Sequence, residues 1–97
     1  MTQYILSQEA DEDFERLFEY GIDNFGVKKA TAYSNGLKIR FSEIADNPLH
    51  WQGVDYIRNN YRRGVYRNHS IYYVVENKNS VRIVRILNKE DILTSLN

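Results

Sequence analysis

The chain has 97 residues, 42% of them hydrophobic and 27% charged, with 13 Lys and Arg set against 13 Asp and Glu. Such a balance describes one globular domain over residues 1–97 and excludes a disordered acidic or basic tail. Cysteine is absent, which excludes disulfide frameworks, thiolate metal sites and cysteine nucleophiles and suits a reducing, cytoplasmic setting.

In chain order, residues 3–6 read as a short strand, and Ser7 reads as an N-cap whose hydroxyl accepts a free amide of the next turn. A first helix follows, with Ala10, Phe14, Leu17, Phe18, Ile22 and Phe25 forming a stripe of period 3.6. Glu9, Asp11, Glu12 and Asp13 suit the positive end of the helix dipole and read as a solvated face. Gly26 closes this helix. A second helix is expected over residues 27–46, its apolar face formed by Ala30, Tyr33, Leu37, Phe41, Ile44 and Ala45. The joint at Gly26 is so short that the two helices must form a tight hairpin or a kink. Gly36 inside the second helix costs roughly 1 kcal/mol unless close packing recovers it, and close packing is the expectation.

Asn47-Pro48 stops the helix, because the residue before proline is pushed out of the helical region. A loop carrying Trp51 leads to three strands over roughly residues 56–65, 70–76 and 80–87, the last two joined by an antiparallel hairpin at Asn77-Lys78-Asn79. Residues 71–75 are apolar throughout, which marks a central strand covered on both faces. A final short helix or tail completes the chain. The expected fold is α+β: an N-terminal strand, an antiparallel two-helix hairpin on one face of a small, mainly antiparallel sheet, and a sheet face left free to bind. The longest apolar run, residues 71–75, is far short of the roughly 20 residues of a membrane span, and the first residues lack a signal-peptide core.

Charge is unevenly placed. Through Asn47 nine acids face five bases, about −4, whereas from Pro48 onward four acids face eight bases, about +4. The only histidines, His50 and His69, lack metal-ligand spacing, and neither GxxxxGK nor GxGxxG occurs, so no metal or nucleotide cofactor is expected. His69, at the start of the central strand, either acts as an acid or base or packs on Tyr66 and caps a turn. The arginines Arg62, Arg63, Arg67, Arg82 and Arg85 interleave with tyrosines, as at a protein hot spot or a nucleic-acid surface, although tyrosine is also an ordinary sheet residue. Strict alternation puts Arg85 on one face with Val81, Ile83 and Leu87, and Arg82 on the other with Val84 and Ile86. One of the two must therefore face the helices and pair with a helix acid, while the other joins Arg62 or Arg63 on the open face.

This order of motifs resembles the ParE/RelE superfamily of type II toxin–antitoxin toxins over almost the whole chain. The resemblance rests on Tyr4-Ile5-Leu6-Ser7 before Ala10-Asp11-Glu12-Asp13, on Asn24-Phe25-Gly26 and Asp46-Asn47-Pro48, and on Tyr61-Arg62-Arg63, His69-Ser70-Ile71-Tyr72-Tyr73 and the run from Arg82 to Leu87. It implies one of two activities: RelE-like cleavage of mRNA on the ribosome, or ParE-like inhibition of DNA gyrase without catalysis. Many relatives have histidine where Asn88 stands, and asparagine cannot move a proton near neutral pH, which favours the ParE-like branch. The resemblance then implies a target- or antitoxin-binding surface drawn from Arg62, Arg63, His69, Tyr73, Arg82, Arg85 and Asn88, with no catalytic residue. The implied partners are a cognate antitoxin and gyrase; a free homodimer and a non-toxic antitoxin-binding module are further alternatives. An exposed sheet edge and the apolar groove beside the helical hairpin are the expected docking places.

Overall fold

The computed structural model describes residues 3–88. Strand β1 (Gln3–Leu6) leads into helix α1 (Gln8–Phe25), and helix α2 (Val27–Asp46) follows directly after Gly26. Strands β2 (Gln52–Gly53), β3 (Arg62–Tyr66), β4 (His69–Asn77) and β5 (Ser80–Asn88) complete a five-stranded sheet ordered β1-β5-β4-β3-β2. β1 runs parallel to β5 and every other pairing is antiparallel. This is the expected α+β arrangement, while the final helix expected near residues 89–96 lies outside the described residues. Among the described residues no helix is long and apolar enough to cross a membrane.

Local chemistry sets the helix ends. The Ser7 hydroxyl accepts the Ala10 amide at 3.0 Å, and Gly26 takes φ 90, a value open to glycine, so that α1 can stop and α2 start within one residue. The helices then lay Ala10, Leu37, Phe41, Ile44 and Ala45 against Ile71, Tyr73, Val81, Ile83 and Ile86 of the sheet. Gly36 is where Tyr66 crosses α2, and a methyl group there would overlap the tyrosine hydroxyl. The expected close packing at that glycine is thus present.

β4 is the middle strand, as its unbroken apolar run requires. Its far face is not free, however: Tyr72 packs with Val54 and Leu87, and Ile57 and Tyr61 lean on the same cluster. The cover comes from residues 54–61, of which those from about 56 onward were expected to be strand. The amides of Ile57 and Arg58 return to the Val54 carbonyl at 2.8 and 3.2 Å, the Asp55 carboxylate accepts the Asn60 amide at 2.8 Å, and Asn60 turns at φ 67. Asparagine and aspartate closing local turns outcompete ladder formation here, so β3 begins only at Arg62.

The register of β5 also departs from strict alternation. Tyr73 pairs with Ile83 but Tyr72 with Arg85, leaving Val84 as a bulge. Beyond it Ile86, not Leu87, joins the core beneath the helices, while Leu87 joins the far-face cluster.

Candidate functional site

β1 ends at Leu6 opposite Ile83, yet β5 continues to Asn88, so the outer edge of β5 would be bare from the bulge onward. Helix α1 supplies the missing partners. The Ser7 amide donates to the Ile83 carbonyl at 2.9 Å and its hydroxyl to the Val84 carbonyl at 2.8 Å. One turn further, Asp13 accepts the Ile86 amide at 3.0 Å, Arg85 Nε at 2.7 Å and Arg85 Nη2 at 3.1 Å, and it also receives Arg16. The Asp13 side chain is only 3% exposed, so its charge is held almost entirely by these donors. The same bond raises the Arg85 guanidinium pKa further above its already high value.

Past this clamp the helical hairpin stands off the sheet and leaves a groove of about 920 Å³, near the top of the roughly 300–1,000 Å³ range of ligand pockets. Leu17, Tyr20 and Phe25 of α1 and Ala30 of α2 give it an apolar wall. Tyr20 and Phe25 meet edge to face at 6.4 Å and remain 63% and 61% exposed, although Phe25 falls on the predicted core stripe. Opposite lie the turn residues Arg67 and Asn68, then His69 and Asn88. Among the described residues, Arg16, Lys29, Arg67 and Arg85 line the groove against Asp13 as the one acid, which makes the site cationic.

Tyr33 joins the two walls, its hydroxyl 2.6 Å from His69 Nδ1. Burial lowers the His69 pKa from the ordinary imidazole value, and burial, ahead of the neighbouring Tyr66, raises that of Tyr33. The Tyr33 hydroxyl also reaches the Tyr66 carbonyl at 3.4 Å, so which of Tyr33 and His69 donates in the shared bond depends on the histidine tautomer.

Of the seven residues expected to form a binding surface, His69, Arg85 and Asn88 line this groove. The others are dispersed. Arg62 gives Nη1 to the Trp51 carbonyl at 2.6 Å, and Arg63 gives Nε to Ser70 at 2.9 Å. Arg82 pairs with Glu76 on the exposed surface. Tyr73 is fully buried in the main core, where it donates to the Pro48 carbonyl and its phenol pKa is pushed up to about 12 by burial, so it offers no surface to a partner. The expected division between the two β5 arginines holds in one respect, since Arg85 does pair with a helix acid. Arg63 rather than Arg62 shares the far side with Arg82: Arg63 pairs with Tyr72, and Arg62 lies opposite Tyr73.

The acids of α1 read as one solvated face, and Asp13 contradicts that. Its place was readable from spacing: Ala10, Asp13, Phe14 and Leu17 fall at i, i+3, i+4 and i+7, which puts the carboxylate on the apolar stripe. Lys29 and Tyr33 carried no such signal, because only the closure of the hairpin over the β3–β4 turn brings them to the groove.

A helical hairpin on one face of a mixed five-stranded sheet, with a cationic groove at the unpaired end of β5, defines a RelE/ParE-like toxin fold. Residues 4–93 match the family model described as the ParE toxin of the type II toxin–antitoxin system parDE, and the chain belongs to this family. It is 30% identical over 89 residues to Toxin ParE1 of Caulobacter vibrioides, covering 92% of this chain and 91% of that protein. Toxin ParE1 of Mycobacterium tuberculosis is 28% identical over 88 residues, covering 91% and 90%. Among solved structures, a chain of the chromosomal ParDE system of P. aeruginosa superposes with a TM-score of 0.78 at 14% identity, covering 91% of this chain and 96% of that one. A conserved hypothetical protein of Helicobacter pylori superposes with a TM-score of 0.61 at 16% identity, covering 93% and 97%.

Proposed function

We propose that this ParE-family toxin acts in the cytoplasm by inhibiting DNA gyrase and is neutralised by a cognate antitoxin that docks in the groove between the helical hairpin and the end of β5. The observation that carries the toxin reading beyond family membership is the commitment of the arginines. Arg85 is held by Asp13, Arg62 by the Trp51 carbonyl and Arg82 by Glu76. RNA cleavage by 2′-hydroxyl attack needs cations free to hold one phosphate, whereas Arg62 and Arg82 lie away from the groove and Arg85, which lines it, is tied to Asp13. Their dispersal favours a toxin that works by its surface. The apolar wall and cationic rim of the groove suit a partner segment laid along it, in the manner of a helix in a groove.

Purified protein incubated with gyrase and supercoiled plasmid tests the target. Accumulation of gyrase-linked linear DNA is the expected result. Unaffected gyrase, together with cleavage of ribosome-bound mRNA by the same folded sample, would replace this reading with the nuclease one.

A further inference from the structure

The β3–β4 connection contains a backbone conformation that its sequence does not favour. Only Arg67 and Asn68 join Tyr66 to His69, which face each other across the two strands, and Arg67 sits at φ 52. A two-residue hairpin normally gives such a position to glycine, asparagine or aspartate, because other side chains crowd the backbone in the left-handed region. Among the described non-glycine residues only Asn60 shares a positive φ, and asparagine tolerates it. An arginine retained there is a local conflict of the kind that collects at functional positions.

The groove gives this arginine a task. Its guanidinium stacks over the Tyr66 ring at 5.6 Å, and that ring is in turn wedged against Gly36 and set edge-on to Tyr33 at 5.1 Å. A stacked guanidinium is pre-oriented and surrenders less freedom on binding than a free arm. Lys29 lines the groove from α2, whereas Arg16 and Arg85 already share Asp13. Among the described residues neither Lys29 nor Arg67 forms an ion pair. Arg67 Nε also reaches the Tyr66 hydroxyl at 3.4 Å, so the groove offers two cations without a carboxylate partner among the described residues, beside the exposed apolar surface of Tyr20 and Phe25.

We propose that Arg67 and Lys29 form an anion clamp selecting an acidic, amphipathic segment of a partner protein, whose carboxylates meet the two cations while its apolar side chains cover Tyr20 and Phe25. This rests on the groove as the docking place proposed above and adds the chemistry that the partner must carry. The backbone conformation of Arg67 is the cost of holding the cation at that spot.

The test combines affinity with stability. Arg67→Gly suits the left-handed turn and removes the cation, so it should weaken binding of the cognate antitoxin about tenfold and flatten its salt dependence, without lowering the melting temperature. Lys29→Gln should weaken binding to a similar degree, and Arg67→Lys should restore part of the loss. Unchanged affinity in Arg67→Gly, or a loss accompanied by a lower melting temperature, would overturn the clamp and leave Arg67 a structural residue. A labelled amphipathic peptide with glutamates on one face and leucines on the other, run beside its glutamine counterpart, makes the test independent of the antitoxin. Arg67-dependent preference for the glutamate peptide when the antitoxin does not bind would sustain the clamp and remove the antitoxin reading. Equal binding of the two peptides, their displacement by a short single-stranded oligonucleotide, or a dimer of the protein that excludes them would overturn it.

Discussion

Tyr72 is fully buried, and among the described residues its hydroxyl has no hydrogen-bond partner. Burial raises its phenol pKa, while Ser70 and the Arg63 guanidinium nearby partly counter the rise without reaching hydrogen-bond geometry. A buried donor left unpaired costs about 1–3 kcal/mol, so Tyr72→Phe should leave stability unchanged or raise it by up to about 1 kcal/mol in urea unfolding. A clear drop would mean that the hydroxyl is bonded in solution. His69 gives the opposite kind of test. Its folded pKa lies below the ordinary 6.5, so the neutral form is the one that the fold favours. That contribution is fully present above pH 6.5 and is lost as pH falls through the lower folded value. The melting temperature should therefore fall more steeply in wild type than in His69→Gln when pH is taken from 7.5 to 5.5, and parallel curves would show that this histidine is not what titrates.

At the scale of elements, the joint between α1 and β5 matters most. Asp13 replaces the strand that β5 lacks beyond Ile83, and it does so with a nearly buried charge. Breaking such a pair from one side leaves the other charge or amide without a partner, so Asp13→Ala should cost about 3–5 kcal/mol, read from denaturant midpoints. Arg85→Ala should also lower the midpoint, and loss of toxicity in that variant would report on the fold unless stability is measured alongside it. The crossing of α2 and β3 is the second joint. Arg40 packs against both Trp51 and Tyr66 and gives Nη1 to the Val65 carbonyl, which limits how far Tyr66 can retreat. Gly36→Ala should accordingly cost about 1–3 kcal/mol in spite of alanine's better helix propensity, and shortening Tyr66 in the same chain should recover part of it. Both joints escape a reading of periodicity alone. The bulge at Val84 reverses which face Ile86 and Leu87 occupy, and a bulge leaves no mark in an apolar run such as Ile83-Val84 and Ile86-Leu87.

For the whole molecule, the division of charge along the chain becomes a division between layers. The acidic first half supplies the two helices together with β1, and the basic second half supplies the other four strands. The clamp at Asp13 and Arg85 joins the two layers, and the groove opens beside that seam with its uncommitted charge positive. Association with an acidic partner should therefore weaken as salt rises. Taking ionic strength from 0.1 M to 1 M shortens the screening length from about 10 to about 3 Å, and the loss of affinity should fall mainly in the association rate. Stopped-flow mixing with antitoxin at several salt concentrations would check this; a salt-independent association rate would mean that apolar contact alone drives docking.

The sequence by itself determined the order of the main elements, the boundaries of β1, α1 and α2, the central place of β4 and the superfamily, but not β2, which lies in the expected loop. Each of those rests on local chemistry or on a period that repeats: the Ser7 cap, the Gly26 break, the Asn47-Pro48 stop, and the stripes of the two helices. What only the tertiary structure decided is where charge and aromatic groups converge. Asp13 became a buried clamp because β1 is shorter than β5, and Tyr73 was lost to the core because β4 is covered by the helices. Lys29, Tyr33, Arg67 and His69 share a groove because one glycine folds α2 back over the β3–β4 turn. Such meetings depend on strand length, register and crossing, and no spacing within any one element encodes them.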